Sequence, residues 1–216
     1  MNSEIYHLFP TLVGLYQNND KSSHDSIRQL LENKMTEYQN SDFILKNPAL
    51  REFCQTPTGL HKVKFLDSLN LFITDCVFDY LLKSNFNVDK QDLYIADCWA
   101  NISTGNSITH IPHTHSNSFI SVVYFLSVPE HSASLYFLHP CMQMNSLDPD
   151  HKKTTIENST EFAVTPEEGQ CVIFKSSTIH GTSANNLFKK NRISIAYTFN
   201  IKQIGKHSLF SHYDEL

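Results

Sequence analysis

Hydrophobic and polar residues follow two different patterns along the chain, and the change falls near residue 90. Before that point, apolar residues recur at helical spacing in two segments, which predicts helices over 23–39 and 62–84. Ser22 or Ser23 is suited to cap the start of the first helix. The second helix carries an apolar stripe typical of packing on a core, formed by Phe65, Leu66, Leu69, Phe72, Ile73, Cys76, Tyr80 and Leu81.

The N-terminal region also contains one predicted strand and one predicted loop. Residues 5–16 are apolar and rich in β-forming side chains, but Pro10 and Gly14 interrupt them. Because proline is confined to edge strands or bends, this segment predicts an edge strand with a bend. The prolines and the glycine between residues 48 and 59 predict a loop that separates the two helices.

From residue 92 onward the pattern changes to short, strand-like segments separated by turns rich in Asn, Ser, Pro and Gly. The predicted strands are 93–102, 110–116, 118–127, 133–138, 161–164, 170–175 and 192–202. Such a series predicts a sandwich or jelly roll, with the two helices packed on an outer face of the sheet. The long polar segment 139–160 predicts a loop over the mouth of the barrel.

Length and composition narrow the class of protein. A chain of 216 residues is long enough for one sizeable core, so we expect a single domain over 1–216, with 1–90 as strand and helical support and 91–205 as jelly-roll core. The net charge of −5 argues against nucleic acid as a partner, since that binding needs a basic face. The 15 Phe and 9 Tyr beside only 6 Gly suit a packed, β-rich fold.

Cysteine usage and the first residues predict a reduced, cytoplasmic environment. The segment MNSEIYHLFP lacks the basic start and apolar core of a signal peptide, and no apolar run reaches the roughly 20 residues of a membrane span. A homo-oligomer is compatible with the sequence. An odd number of widely spaced cysteines without a Cys-x-x-Cys pair predicts free thiols rather than disulfides or a zinc knuckle: Cys54, Cys76, Cys98, Cys141 and Cys171.

Three histidines have the spacing of a metal site. In the run His113-Thr114-His115, residues i and i+2 of a strand present both imidazoles to one point. His180 follows the apolar run CVIFK, and Gly181 behind it would let the chain turn away. A third imidazole from this distant strand would close one face of a metal ion and leave the other face open for substrate and O₂, as in non-heme iron oxygenases.

An arginine follows the last histidine by 12 residues. Arg192 begins the alternating strand RISIAYTF and shares one face with Ser194. A guanidinium in such a strand can hold a carboxylate through two parallel hydrogen bonds.

The alternatives to a functional site are that the histidines are exposed in a loop or turn, and that the arginine is paired with a surface carboxylate. His110 could replace one ligand, but Pro112 breaks a regular strand between it and His113, so we expect His110 beside the site or on the surface.

Five sequence blocks resemble a known family. They are YHLFPTLVGLY, DCWANIS, HTHSNSFISVVYFL, TPEEGQCVIFKSSTIHGTS and RISIAYTFN, in order from Tyr6 to Asn200. Together they resemble the 2-oxoglutarate/Fe(II)-dependent oxygenases, within them a prolyl-hydroxylase-like branch of hydroxylases. The resemblance implies a double-stranded β-helix (jelly roll), mainly β with N-terminal helices. It also implies that Arg192 and Ser194 bind the distal carboxylate of 2-oxoglutarate, and that Asn101 lines the same pocket.

Two positions depart from the family pattern. The usual motif is His-x-Asp or His-x-Glu, and this chain has His115 in place of the carboxylate. Three imidazoles leave the two positive charges of Fe(II) uncompensated on the protein side, and they also suit zinc. The strand VVYFL has Phe125 where relatives often have a second tyrosine, so a hydroxyl near the cosubstrate is lost.

The sequence therefore predicts an Fe(II)- and 2-oxoglutarate-dependent dioxygenase that hydroxylates an unidentified peptide side chain, amino acid or small metabolite. His113, His115 and His180 bind the metal, and no catalytic residue is predicted beyond them. One alternative is a three-histidine iron dioxygenase that does not use 2-oxoglutarate. Another is a non-catalytic jelly-roll binding protein. A zinc hydrolase would need a general base, and no Asp or Glu flanks the histidines closely.

Overall fold

A computed structural model describes residues 3–4, 10–46, 53–104, 109–140, 149–184 and 191–202. Within these residues there are three helices: α1 (Lys21–Gln39), α2 (Asp42–Lys46) and α3 (Asp67–Lys83). The strands in the same residues are β1 (Val13–Gln17), β2 (Phe53–Gln55), β3 (Leu93–Ser103), β4 (His110–His113), β5 (Ile120–Ser127), β6 (Leu135–Leu138), β7 (Glu161–Val164), β8 (Gln170–Lys175), β9 (His180–Thr182) and β10 (Arg192–Ile201).

Both predicted helices are confirmed, but their first turns differ from the prediction. Helix α1 begins at Lys21, and the carboxylate of Asp20 accepts a hydrogen bond from the Ser23 N–H at 3.1 Å. The predicted caps Ser22 and Ser23 are therefore wrong, because Asp20 provides the oxygen outside the first turn. The N-terminal part of the segment 62–84 is wound as two 3₁₀ turns that lead into α3. No described helix has the length and apolar character that a membrane crossing requires.

Two antiparallel sheets form the body of the molecule. The large sheet has the strand order β1-β8-β5-β10-β3-β2, and the small sheet has the order β4-β9-β6-β7. Strand β10 lies between β3 and β5, so that Ile195 is paired with Ala100 on one side and Tyr124 on the other. This arrangement confirms the predicted mainly β jelly roll.

The two faces of the large sheet bury different cores. On one face, Leu31 of α1 and Ile73 of α3 pack against side chains of the sheet such as Tyr124 and Tyr197. On the other face, Phe125, Leu135, Phe137, Val164, Val172 and Phe174 pack between the two sheets. Successive strand residues point to opposite faces, so Tyr124 packs in the core beside the helices and Phe125 packs in the core between the sheets.

A buried polar pair stands inside the helical core. The Nδ1 atom of His24 lies 3.0 Å from the hydroxyl of Tyr124, and the amide of Asn18 also donates to that hydroxyl at 3.3 Å. Both His24 and Tyr124 are buried. The pair ties α1 to the centre of the large sheet, on the side away from the small sheet.

Several predicted elements differ in extent. Strand β4 ends at His113 rather than at residue 116, and β2 and β9 were not predicted. Part of the first predicted strand, residues 5–9, lies outside the described residues, as do Cys141 and the segment 141–148. The described parts of 139–160 contain no helix or strand, and the prediction that this loop covers the barrel mouth remains a prediction. Among the cysteines with a described side chain, Cys76, Cys98 and Cys171 are free and buried.

Candidate metal centre

Three imidazoles meet between the two sheets. The pairing of β4 with β9 sets His113 directly opposite His180, and the Ser176 carbonyl accepts a hydrogen bond from the His115 N–H at 3.0 Å. One ring nitrogen from each histidine lies within 4.8 Å of the others. The fold therefore brings the three predicted ligands to one point, and their assignment as metal ligands remains a prediction.

Backbone carbonyls fix the tautomers of two of these rings. The Nδ1 atom of His113 lies 2.8 Å from the Ile111 carbonyl, and that of His180 lies 2.9 Å from the Thr178 carbonyl. Because a carbonyl oxygen can only accept, each Nδ1 must donate, which leaves the Nε2 lone pair free to bind a metal. Burial lowers the pKa of His180 to about 4, so this imidazole is neutral at neutral pH, as a metal ligand must be.

His115 is held in a different way. Its ring makes no hydrogen bond to any described residue and lies beside Trp99, with ring centroids 5.8 Å apart and an angle of 57° between the planes. Burial also lowers the pKa of His115. The ring at the position where the resemblance implies a carboxylate thus packs against an indole and the other two imidazoles.

A β-bulge in β4 explains how His110 enters the same cavity. His110 is paired with Thr182 and His113 with His180, so three steps along β4 correspond to two along β9. The prediction that Pro112 breaks a regular strand is therefore confirmed: β4 continues to His113, but through a bulge that accommodates a residue without an N–H. His110 lines the cavity without joining the three clustered imidazoles. Its burial and the nearby charge of Arg192 lower its pKa to about 4.

Gly181 is needed for close packing. A Cβ atom at this position would lie 2.6 Å from the carbonyl oxygen of His110 and 2.6 Å from the hydroxyl of Tyr136. The predicted role of Gly181 as a turn is wrong, because β9 continues through Thr182. His180 likewise begins β9 and does not end the preceding strand, as the sequence had suggested.

Arg192 is a buried cation with free donors. Its side chain is 4% exposed, and its Nε and Nη2 atoms have no hydrogen-bond partner among the described residues. The Nη1 atom lies 3.4 Å from the Ser194 hydroxyl, and the guanidinium carbon lies 5.5 Å from the Phe125 ring centroid. Burial lowers the pKa of Arg192 to about 10. Arg192 is thus not paired with a carboxylate of any described residue, and the guanidinium can receive an anion from the cavity.

Asn101 lies beside Arg192 and Ser194, and the three residues form one wall of the site. It is paired with Ser194 across β3 and β10, and its buried Oδ1 atom has no partner in the described part of the chain. Sequence reasoning missed Trp99 as a site residue, although it lies two residues before Asn101 and therefore on the same face of β3.

One cavity of about 420 Å³ contains the histidines and this wall. All six predicted site residues line it, as does Trp99, and Ile111 and Gln55 lie on its lining as well. The described lining residues include no Asp or Glu. The cavity thus combines three convergent imidazoles with a guanidinium that has no described anionic partner, and its described lining residues offer no carboxylate as the general base of a hydrolase.

Comparisons with known proteins agree with this arrangement. Residues 97–198 match the family described as "Putative 2OG-Fe(II) oxygenase". This segment holds every predicted site residue. This segment is therefore similar to the 2OG-Fe(II) oxygenases. No curated protein matches the sequence.

Solved structures with the same fold are distant in sequence. A prolyl-4-hydroxylase from Pseudomonas putida is 12% identical, with 88% of this chain and 93% of that chain covered and a TM-score of 0.56. HygX from Streptomyces hygroscopicus, with nickel, 2-oxoglutarate and hygromycin B bound, is 14% identical, with 89% of this chain and 84% of that chain covered and a TM-score of 0.55. AviO1 from Streptomyces viridochromogenes Tue57 is 11% identical, with 89% of this chain and 91% of that chain covered and a TM-score of 0.60. These similarities establish the double-stranded β-helix.

Proposed function

We propose that this protein is an Fe(II)- and 2-oxoglutarate-dependent dioxygenase that hydroxylates a small molecule or a peptide side chain with O₂. His113, His115 and His180 would hold the iron. Arg192 and Ser194 would bind the distal carboxylate of 2-oxoglutarate, and Asn101 would assist them.

The buried guanidinium of Arg192 carries this proposal. A buried charge without a partner is costly, so a cation that faces a cavity with two unused N–H groups is suited to bind an anion. The planar fork of arginine matches a carboxylate through two hydrogen bonds. Because the arginine and the three imidazoles line the same cavity, a dicarboxylate with a chelating keto acid suits both ends. HygX, which has a similar fold, has 2-oxoglutarate bound.

The donor set also fits iron. Neutral imidazoles suit Fe(II), and three of them on one side leave coordination positions for a keto acid and O₂. When bound, iron and 2-oxoglutarate supply the oxidising chemistry by which O₂ is activated. The chain's own contribution would be to hold the three imidazoles in place and to anchor the far end of the cosubstrate.

The first test is iron binding without oxygen. The wild-type protein should bind about one Fe(II) per chain, and His113→Ala or His180→Ala should abolish binding. His151→Ala removes an exposed histidine outside the cavity and serves as the matched control. Unchanged affinity in both cavity variants would show that the ligands are elsewhere.

The second test is titration of the Fe(II) protein with 2-oxoglutarate, followed at the metal-to-ligand absorption band. Arg192→Ala should raise the dissociation constant about 30-fold or more, because a carboxylate loses its charged partner. Arg192→Lys should recover only part of the affinity, since an ammonium cannot form the bidentate pair. Iron binding should survive both changes. If wild type binds iron but no 2-oxoglutarate at millimolar concentration, a dioxygenase that chelates its substrate directly becomes the better reading.

A further inference from the structure

The charge inside the cavity is unbalanced when the proposed ligands are bound, and His115 is the reason. A carboxylate ligand would cancel one positive charge of Fe(II), whereas an imidazole cancels none. The two charges of 2-oxoglutarate neutralise those of the iron, which leaves the guanidinium of Arg192 in excess. No described lining residue is an Asp or Glu that could compensate it.

The described surroundings do not remove this excess charge. The described salt bridges do not involve Arg192, and the contacts described for its guanidinium are with a hydroxyl and an aromatic ring. A net charge away from water is costly in a medium of low polarity. A ligand that brings a negative charge would therefore bind with a gain that an uncharged ligand of the same shape lacks.

The outer part of the cavity offers room and apolar contact for such a ligand. Trp99 and Ile111 lie on its lining, and Ile111 is 76% exposed. Gln55 lies on the same lining and is also exposed. An organic anion could thus pack its apolar part against Trp99 and Ile111 while its charged group points inward.

We propose that the substrate is an organic anion whose carboxylate, or a similar acidic group, lies close to the three-histidine centre. This proposal rests on the function proposed above and names its substrate class. It predicts that charge, at constant size and shape, decides which compounds enter the cavity beside 2-oxoglutarate.

The test uses three probes that share one ring and differ in charge: benzoate, benzamide and benzylammonium. Each is titrated calorimetrically, at constant ionic strength and without oxygen, into protein saturated with Fe(II) and 2-oxoglutarate. We expect benzoate to bind at least about tenfold more tightly than benzamide, and benzylammonium to bind most weakly. The absorption band of bound 2-oxoglutarate should persist, which shows that benzoate has not taken the place of the cosubstrate.

Two variants separate charge from shape. Gln55→Glu adds a negative charge at an exposed lining position with little change in size, and should weaken benzoate about two- to fivefold while leaving benzamide unchanged, since exposed charges are screened. His115→Asp supplies the missing carboxylate inside the cavity and should remove most of the preference for benzoate over benzamide.

The outcomes distinguish this proposal from the function on which it rests. Equal affinity for benzoate and benzamide, no binding of any probe at millimolar concentration, or loss of the 2-oxoglutarate band as benzoate binds would each overturn the anionic substrate while the cosubstrate assignment stands. If the band never forms in wild type, the proposed function fails, and the substrate class fails with it.

Discussion

Replacing Arg192 by methionine should stabilise the protein that lacks cosubstrate. The lowering of the Arg192 pKa from 12.5 to about 10 corresponds to a free-energy cost of roughly 3 kcal/mol for burying the charged guanidinium. Methionine also loses the contact with the Phe125 ring, which is worth about 0.5–2 kcal/mol at this distance. The net expectation is that Arg192→Met raises the free energy of unfolding by about 1–2 kcal/mol, since buried charges are often replaced by apolar side chains with a gain.

The assay is urea denaturation of wild type, Arg192→Met and the control Arg28→Met, which changes an arginine paired with Asp25 at the surface. The control should change stability by less than about 0.5 kcal/mol. With Mn(II) present throughout, adding 2-oxoglutarate at about 100 times the wild-type dissociation constant should stabilise wild type by about 2.7 kcal/mol, but a variant whose affinity is about 30-fold lower by only about 0.9 kcal/mol or less. If Arg192→Met is destabilised by more than about 1 kcal/mol without 2-oxoglutarate, the guanidinium has a structural partner and the reasoning is refuted.

Substitutions at three further positions test other parts of the structure. Trp99→Ala should weaken Fe(II) affinity about tenfold, because the His115 ring then keeps only the other two imidazoles as ring neighbours among the described residues, and Trp99→Phe should restore most of it; equal affinities in an anaerobic titration would contradict this role. Gly181→Ala should cost about 1–3 kcal/mol in urea denaturation, since the added Cβ meets a backbone oxygen at 2.6 Å. Tyr124→Phe should cost about 1–3 kcal/mol by removing the partner of buried His24, without changing iron affinity; a loss of iron would show coupling across the sheet.

Much of the fold could be predicted because its longer elements show their pattern in the sequence. Strands β3, β8 and β10 alternate or form apolar runs, and α3 has a continuous apolar stripe. Strands β2 and β9 have only three residues each, which is too short for a period-2 pattern to appear. They exist because a neighbouring strand offers hydrogen-bonding groups, and pairing partners are not written in local sequence.

The site shows the same division. The identities of His113, His180 and Arg192 could be chosen from residue type and spacing, and the structure places them around one cavity. The strand pairing and close packing that bring them together could not be predicted. The His113–His180 pairing depends on a bulge, and the close approach at Gly181 involves a hydroxyl from β6, more than 40 residues earlier. Both depend on register between distant strands, which is set by tertiary packing.

The position of β10 has a consequence for how the protein is made. This strand is the last one in the described chain, yet it lies between β3 and β5 in the large sheet. A nascent chain stalled before residue 192 would carry all three histidines but neither Arg192 nor the strand that joins the two halves of the sheet. Since pairing of distant strands is slow and comes late, the sheet and the proposed cosubstrate wall should be completed in one step. A released chain truncated before residue 192 should therefore keep the three candidate metal ligands but lack the arginine proposed to hold 2-oxoglutarate.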